Sequence, residues 1–217
     1  MIMNRRTLLA SGAASVALAT TARAFPAPPA TMIGFDVMRE GSKLGTHDLT
    51  FSAAGDTLTV NVAVDLAYDL GPVTVFRYTH RAVERWQGDQ VVSLETQTDD
   101  DGDDYKVSGL RDASGLVVQA TDLATYTAPA SALPATHWNR NQLAGPWINT
   151  QNGKLLRPQV TDIGVETIAV ADGRTLNARH YRMTGDAMLD IWYHDTMGWA
   201  GLSFVIDDTE IRYLRRV

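Results

Sequence analysis

The sequence contains no cysteine. This absence excludes disulfides, thiolate metal ligands, a cysteine nucleophile and a lipid-bearing N-terminal cysteine. Charged residues make up only 20% of the chain, too few for a disordered protein, while 45% of the residues are hydrophobic and can supply a core. The 217 residues therefore predict a folded chain of one large or two small domains, and no linker-like stretch interrupts the middle.

Positive charge is scarce as well. The formal net charge is −6, and removal of the three N-terminal arginines (Arg5, Arg6 and Arg23) leaves −9. A net-acidic chain repels nucleic acid and anionic lipid, so no nucleic-acid partner is expected.

Long hydrophobic runs are absent beyond the N-terminal region, and a bilayer-spanning helix needs about 20 apolar residues. Residues 1–24 combine Arg5-Arg6 followed by Leu8-Leu9, a weakly apolar run, and the small-x-small site Ala22-Arg23-Ala24. This pattern predicts a cleaved export signal and resembles the twin-arginine type, although Asn4 stands where serine or threonine is commoner and ordinary secretion is the alternative. A proline-rich leader (25–31) follows. We expect a periplasmic protein without stable membrane insertion after signal removal.

Apolar and polar residues alternate through most of residues 32–217, and the segments are separated by very short turns. The clearest example is Thr57–Tyr68. Every second residue from Leu58 to Tyr68 is apolar, and the other face carries polar residues and two small alanines. Turns of two to four residues require antiparallel neighbours. The sequence thus predicts one all-β domain, a single antiparallel up-and-down meander of about 11–12 strands that forms a closed or partly open barrel. Ile211 and Tyr213 of the last strand are expected to meet the first strand near Phe35.

The alternation breaks between Ala128 and Trp147, where the sequence predicts a loop with at most two helical turns. A break of this length inside a compact domain is typical of a lid, plug or binding element. We expect it to act as a lid or plug, with Trp138 packing over the opening of the barrel.

The segment Val73–Trp86 places polar residues on an otherwise apolar face. His80 and Glu84 share that face with Trp86, while arginines occupy the other face. Polar groups that face an interior need partners, so this pattern favours a cavity with hydrogen-bonding points. The arginines are expected to pair with carboxylates of the following strand.

Motifs for catalysis and for cofactors are missing. The sequence contains no HExxH, no Gly-x-Ser-x-Gly elbow and no glycine-rich phosphate loop. No catalytic residue, metal ligand or cofactor is assigned from the sequence.

Several short motifs recur in a recognisable order between Thr31 and Val217. They are Gly41 and Gly45, Arg85-Trp86 with Gly88, His137-Trp138-Asn139, Asn152-Gly153, His180-Tyr181, and Asp190-Ile191-Trp192-Tyr193 with Trp199. In this the chain resembles a family of exported bacterial all-β proteins known only as a domain of unknown function, and more distantly the lipocalins and periplasmic lipoprotein carriers, which hold hydrophobic ligands. The resemblance implies no reaction and no catalytic residues.

Three hypotheses for function remain open. The leading one is an exported, non-enzymatic barrel that binds a hydrophobic or amphiphilic small molecule or an envelope protein. Its candidate ligand-binding residues are His80, Glu84, Trp86, His137, Trp138, Asn139 and Trp192. The alternative is a periplasmic hydrolase or metal-dependent enzyme with His137, His180, His194 and Asp190 or Asp195 at the barrel mouth. A third is a scaffold with a filled core, for which no cavity near about 300 Å³ is expected.

Overall fold

The structure is a computed structural model, and it describes residues 30–217. The predicted export signal (1–24) and most of the proline-rich leader lie outside the described residues. Within 30–217 no helix is long and apolar enough to cross a membrane. The strands are β1 (Met32–Arg39), β2 (Ser42–Ala54), β3 (Thr57–Leu70), β4 (Val73–Gln87), β5 (Gln90–Asp100), β6 (Asp103–Asp112), β7 (Gly115–Ala120), β8 (Leu123–Ala128), β9 (Leu133–Pro134), β10 (Trp147–Ile148), β11 (Leu155–Leu156), β12 (Gln159–Ala169), β13 (Thr175–Thr184), β14 (Leu189–His194), β15 (Gly198–Ile206) and β16 (Thr209–Arg215).

Thirteen of these strands form one antiparallel sheet in the order β12-β13-β14-β15-β16-β1-β2-β3-β4-β5-β6-β7-β8. Consecutive strands are neighbours, because the turns between them are too short for any other connection. The last strand pairs with the first, with Phe35 opposite Arg215 and Val37 opposite Tyr213. The predicted all-β meander and the meeting of its two ends are thus confirmed.

The sheet is curled but has a seam. Its two edges are β8 and β12, and within residues 30–217 no strand pairing joins them. These two strands flank residues 129–158, which contain most of the Ala128–Trp147 stretch in which the sequence alternation breaks. The barrel is therefore partly open, and the opening lies where the chain leaves the sheet.

Residues 129–158 fold into the interior. They contain a small sheet in the order β11-β10-β9 and a 3-10 helix, Arg140–Ala144. Trp147 and Ile148 of β10 and Trp138 are buried in the main core. We call residues 129–158 the plug, because burial of its apolar residues stabilises it as part of the core rather than as a cover over it.

Strands β2 and β3 approach each other closely at Gly45. A Cβ atom added to Gly45 on β2 would lie 1.9 Å from the backbone oxygen of Asp65 on β3. Only glycine permits this contact between the two strands. The pairing of β1 with β2 shifts by one residue between Val37 and Met38, close to the same point.

One local prediction is wrong, the pairing of the β4 arginines with carboxylates of the following strand. The arginines of β4 do point outward as expected, but Arg81 pairs with Asp65 on the preceding strand, at 2.6 Å, rather than with β5. Across from Arg81 on β5 lies Gln97, which offers no charge.

A cavity with one mouth as the candidate functional site

A cavity of about 910 Å³ opens at one end of the curled sheet. Successive hairpins of a meander alternate between the two ends, so the hairpins after β1, β3, β5, β13 and β15 lie together. Their residues Arg39, Val75, Asp100, Met188 and Asp207 line the cavity and form its mouth. The volume lies at the upper end of the range for small-molecule sites. The filled core expected for a scaffold is therefore not what the structure shows.

Two histidines face the cavity from one row of the sheet. His47 on β2 and His80 on β4 are each directly opposite Val64 on β3, the strand between them. Two strand spacings put their Cα atoms about 10 Å apart. Both side chains line the cavity and are less than a tenth exposed.

The two histidines have few hydrogen-bond partners. His80 Nδ1 lies 2.8 Å from the hydroxyl of Thr98 on β5. The remaining three ring nitrogens, Nδ1 and Nε2 of His47 and Nε2 of His80, are buried and have no partner within residues 30–217. Buried polar atoms without a partner are uncommon in folded proteins and often mark a place where a ligand or water completes the site.

Burial keeps both imidazoles uncharged. Desolvation, with smaller contributions from nearby His137 and His80, lowers the pKa of His47 to about 3. Desolvation lowers the pKa of His80 to about 4, with a smaller contribution from Arg81. Both rings are neutral at neutral pH, and each presents one N–H and one unprotonated nitrogen.

Aromatic rings surround His47. Trp199 packs edge-on at 5.2 Å between ring centroids, Tyr213 at 5.6 Å and Phe35 at 6.3 Å. This packing fixes the position of the imidazole, but within residues 30–217 it offers neither ring nitrogen a hydrogen-bond partner.

The plug contributes a third histidine. His137 lines the cavity and contacts the rings of Trp147 and Trp199 at 5.6 and 5.3 Å. The Gln142 amide nitrogen, which can only donate, lies 3.1 Å from its Nδ1, so the neutral ring carries its proton on Nε2. Desolvation lowers the pKa of His137 to about 4, against the smaller opposing effect of that hydrogen bond.

Glu84 lies beyond the cavity, at the closed end of the sheet. It is four residues from His80 along β4, about 13 Å away. Its Oε2 accepts hydrogen bonds from the indoles of Trp86 and Trp138 at 2.8 and 3.1 Å, and the Thr136 hydroxyl donates to Oε1 at 2.6 Å. Burial raises the pKa of this fully buried carboxyl, and the three donors oppose the shift. Glu84 therefore fixes the plug to the sheet.

The remaining candidate residues do not line the cavity. Trp138 packs against Phe51 and Trp86 at the closed end. Asn139 begins the 3-10 helix, where its side-chain oxygen accepts from the backbone N–H of Asn141. Trp192 alternates with the core residues Ile191 and Tyr193 and so lies on the outer face of the sheet.

The histidines of the enzyme hypothesis are not brought together around one site. His180 stacks on Trp192 at 4.6 Å on the outer face, and its Nε2 lies 2.6 Å from Asp190. His194 is the last residue of β14, and its Nδ1 accepts from the backbone N–H of Thr196 in the following turn at 3.2 Å. His137 instead faces the cavity. Within residues 30–217 no three His, Cys, Asp or Glu side chains are grouped so that they could hold a metal ion.

Sequence reasoning missed His47, Thr98 and Tyr213 as site residues. His47 lies in a strand whose alternation is weaker than that of β3, and its link to His80 depends on the pairing of both with Val64. A count of residues from the β2–β3 turn places His47 opposite Val64, but a count from the β3–β4 turn places Thr79 there instead of His80. An irregularity between Tyr68 and Asp69 shifts the register by one residue, and no turn signal in the sequence marks it.

The fold and the site define a class: an all-β, partly open barrel with an internal plug and a ligand-sized cavity that opens at one end. Residues 35–216 match the family described as Domain of unknown function (DUF6134), and the chain belongs to that family. A crystal structure of a beta-barrel-like protein of domain of unknown function DUF1849 from Brucella abortus is similar in fold, with a TM-score of 0.60 at 10% identity over 85% of this chain and 94% of that chain. No curated protein matches the chain.

Proposed function

We propose that this protein binds a hydrophobic or amphiphilic small molecule in the cavity and does so in the periplasm, after export by the twin-arginine route. The observation that carries the proposal is the cavity itself: about 910 Å³, open at one end and built into the sheet rather than left between loops.

The lining supports an apolar ligand. Beyond the mouth the walls are formed largely by aliphatic and aromatic side chains, among them Val64, Leu66, Tyr78, Trp147 and Tyr213. Sites of this kind bury most of the surface of a small ligand and use a few polar groups to orient it. Here His47, His80 and His137 are those polar groups.

The mouth supports loading from an apolar environment. Met188, Val75 and Ile206 are exposed at its rim, at 77%, 43% and 54%. Apolar side chains gathered at an opening lower the cost of passing an apolar molecule through it, since the molecule leaves one apolar contact for another. An envelope protein that delivers or receives the ligand is the partner we propose. Holding a hydrophobic molecule in a barrel would make the chain similar in mode of action to lipocalins and lipoprotein carriers.

The experiment that tests this proposal fills the cavity with a larger side chain. Leu66 lines it, whereas its neighbour Ala67 on β3 points to the other face, so Leu66→Trp and Ala67→Trp form a matched pair. The neutral fluorophore N-phenylnaphthylamine is titrated into the mature protein. We expect Leu66→Trp to weaken its binding by about tenfold or more and Ala67→Trp to leave it within about twofold.

Thermal unfolding of both variants tests whether each is folded. An unchanged affinity in folded Leu66→Trp, or no fluorophore binding to the wild-type protein, overturns the proposal. Native mass spectrometry of protein purified from its own periplasm adds a direct result, because a co-purifying lipid-like mass supports the carrier function and a bound metal mass opposes it.

A further inference from the structure

We propose that the cavity selects an uncharged apolar molecule with a hydroxyl, or a similar group that both donates and accepts hydrogen bonds, over a long-chain anion of the same size. This inference rests on the proposed function and adds the chemical class of the ligand. Two independent features carry it: the unpartnered imidazoles in the wall, and the charges at the mouth.

The imidazoles set the hydrogen bonds that a ligand has to offer. Both ring nitrogens of His47 and one of His80 are buried without a partner within residues 30–217. A neutral imidazole has one donor and one acceptor nitrogen, which diverge from the ring, so a ligand group that both donates and accepts can pair with whichever nitrogen it meets. A hydroxyl does so. A carboxylate or phosphate only accepts, and a quaternary ammonium does neither.

The imidazoles also fail to supply a countercharge. Burial lowers the pKa of His47 to about 3 and that of His80 to about 4, well below neutral pH. A carboxylate placed against them would be a buried anion beside uncharged groups, which is costly unless a proton is taken up as well.

The charges at the mouth point the same way. Of the described residues that line the cavity, the charged ones apart from the histidines are Arg39 and the aspartates Asp100, Asp186 and Asp207. The Arg39 guanidinium lies 4.2 Å from the ring centroid of Tyr68, so the one cation of the rim is held against an aromatic face. Three carboxylates and one guanidinium repel an approaching anion.

The outer cluster of His180, Glu166 and Asp190 shows no geometry for a metal within residues 30–217. The cavity brings together a volume, unpartnered polar atoms and a charge pattern.

The experiment compares three probes with one chain length: dodecanol, dodecanoate and dodecyltrimethylammonium, below micelle-forming concentrations. Each displaces N-phenylnaphthylamine from the mature wild-type protein near neutral pH. We expect dodecanol to bind about tenfold or more tighter than dodecanoate and tighter than the cationic probe. Equal or tighter binding of either charged probe overturns the inference.

Two variants separate the causes. His47→Phe keeps the aromatic packing and removes both ring nitrogens, so dodecanol affinity should fall by about three- to tenfold and the preference for dodecanol over dodecanoate should fall with it. Asp207→Asn removes one rim charge at an exposed turn and should raise dodecanoate affinity by about two- to fivefold relative to that of dodecanol. Glu95→Gln on the outer face is the control for both.

The outcomes distinguish this inference from the proposed function. If the fluorophore does not bind, or Leu66→Trp leaves its binding unchanged, the cavity is not a binding site and both fail. If the fluorophore binds in the cavity but dodecanoate displaces it as well as dodecanol does, only the ligand class is wrong. If His47→Phe is unfolded, the Asp207→Asn result decides, because an unchanged dodecanoate affinity there removes the electrostatic argument.

Discussion

Glu84 on β4 accepts a hydrogen bond from the indole N–H of Trp138, 54 residues away in the plug, at 3.1 Å. The same carboxylate oxygen accepts from Trp86 at 2.8 Å on its own strand. One buried carboxyl thus joins the sheet to the plug at the closed end of the barrel. It leaves the other end free for the cavity.

The first prediction concerns the shape of the group at position 84. In Glu84→Gln the amide oxygen can accept from both indoles while the amide nitrogen donates to Thr136, so we expect the unfolding free energy to change by less than about 1 kcal/mol. Glu84→Leu leaves two indole N–H groups buried without acceptors and should lower it by about 3 kcal/mol or more. Urea unfolding of both variants measures the difference. Equal losses would show that these hydrogen bonds do not hold the plug.

The second prediction concerns stability at low pH. Because the folded-state pKa values of His47 and His80 (about 3 and about 4) lie below the ordinary value of 6.5, the unfolded chain binds more protons between these limits. The contribution of these two histidines to the free energy of unfolding is therefore fully present above about pH 6.5. It is lost as the pH falls, by about 1.4 kcal/mol per pH unit for each histidine. Urea unfolding at a series of pH values measures the slope.

A variant assigns that slope to a residue. His47→Phe removes one titrating group, so its unfolding free energy should fall by about 1.4 kcal/mol less per pH unit than that of the wild type. His194→Phe is the comparison, because His194 is half-buried at the end of β14 and does not line the cavity. A slope that His47→Phe leaves unchanged contradicts the burial of His47 as an uncharged group.

The third prediction concerns Gly45. An alanine Cβ there would lie 1.9 Å from the Asp65 carbonyl oxygen, so β2 and β3 would have to separate. We expect Gly45→Ala to lower the unfolding free energy by about 2 kcal/mol or more. Gly109→Ala is the matched change, since its nearest contact would be Leu94 Cβ at 3.3 Å, and it should lower the unfolding free energy by less than about 1 kcal/mol. Thermal unfolding of the two variants decides between them.

The fourth prediction distinguishes a plug from a mobile lid. Backbone N–H groups of the plug are hydrogen-bonded in the interior, including Ala135 to Ile148 at 2.9 Å and Asn149 to Lys154 at 2.9 Å. Amide hydrogen exchange across residues 132–150 should therefore be as slow as that of β3 and β4, because both open only when the core opens. Exchange as fast as in the hairpin turns would show that the segment moves independently.

The sequence predicted those features of the fold that depend on neighbours along the chain. Alternation in β3 and β4 identified which side chains point inward, and short turns implied an antiparallel meander whose last strand meets the first. The failure of alternation between Ala128 and Trp147 located the first two thirds of the plug. Each of these follows from backbone geometry over a few residues, so it is present in the sequence before any tertiary contact forms.

The tertiary structure decided what long-range packing controls. His47 and His80 share a site only because β3 pairs with both of their strands in one register, and Glu84 is removed from the cavity only because Trp138 returns from the plug to meet it. Trp192 was expected at the site but lies outside, since Ile191 and Tyr193 take the inward positions of β14. The pattern of a strand defines its two faces. Which face is the interior, and which residues meet there, depends on how the whole sheet curls around the plug.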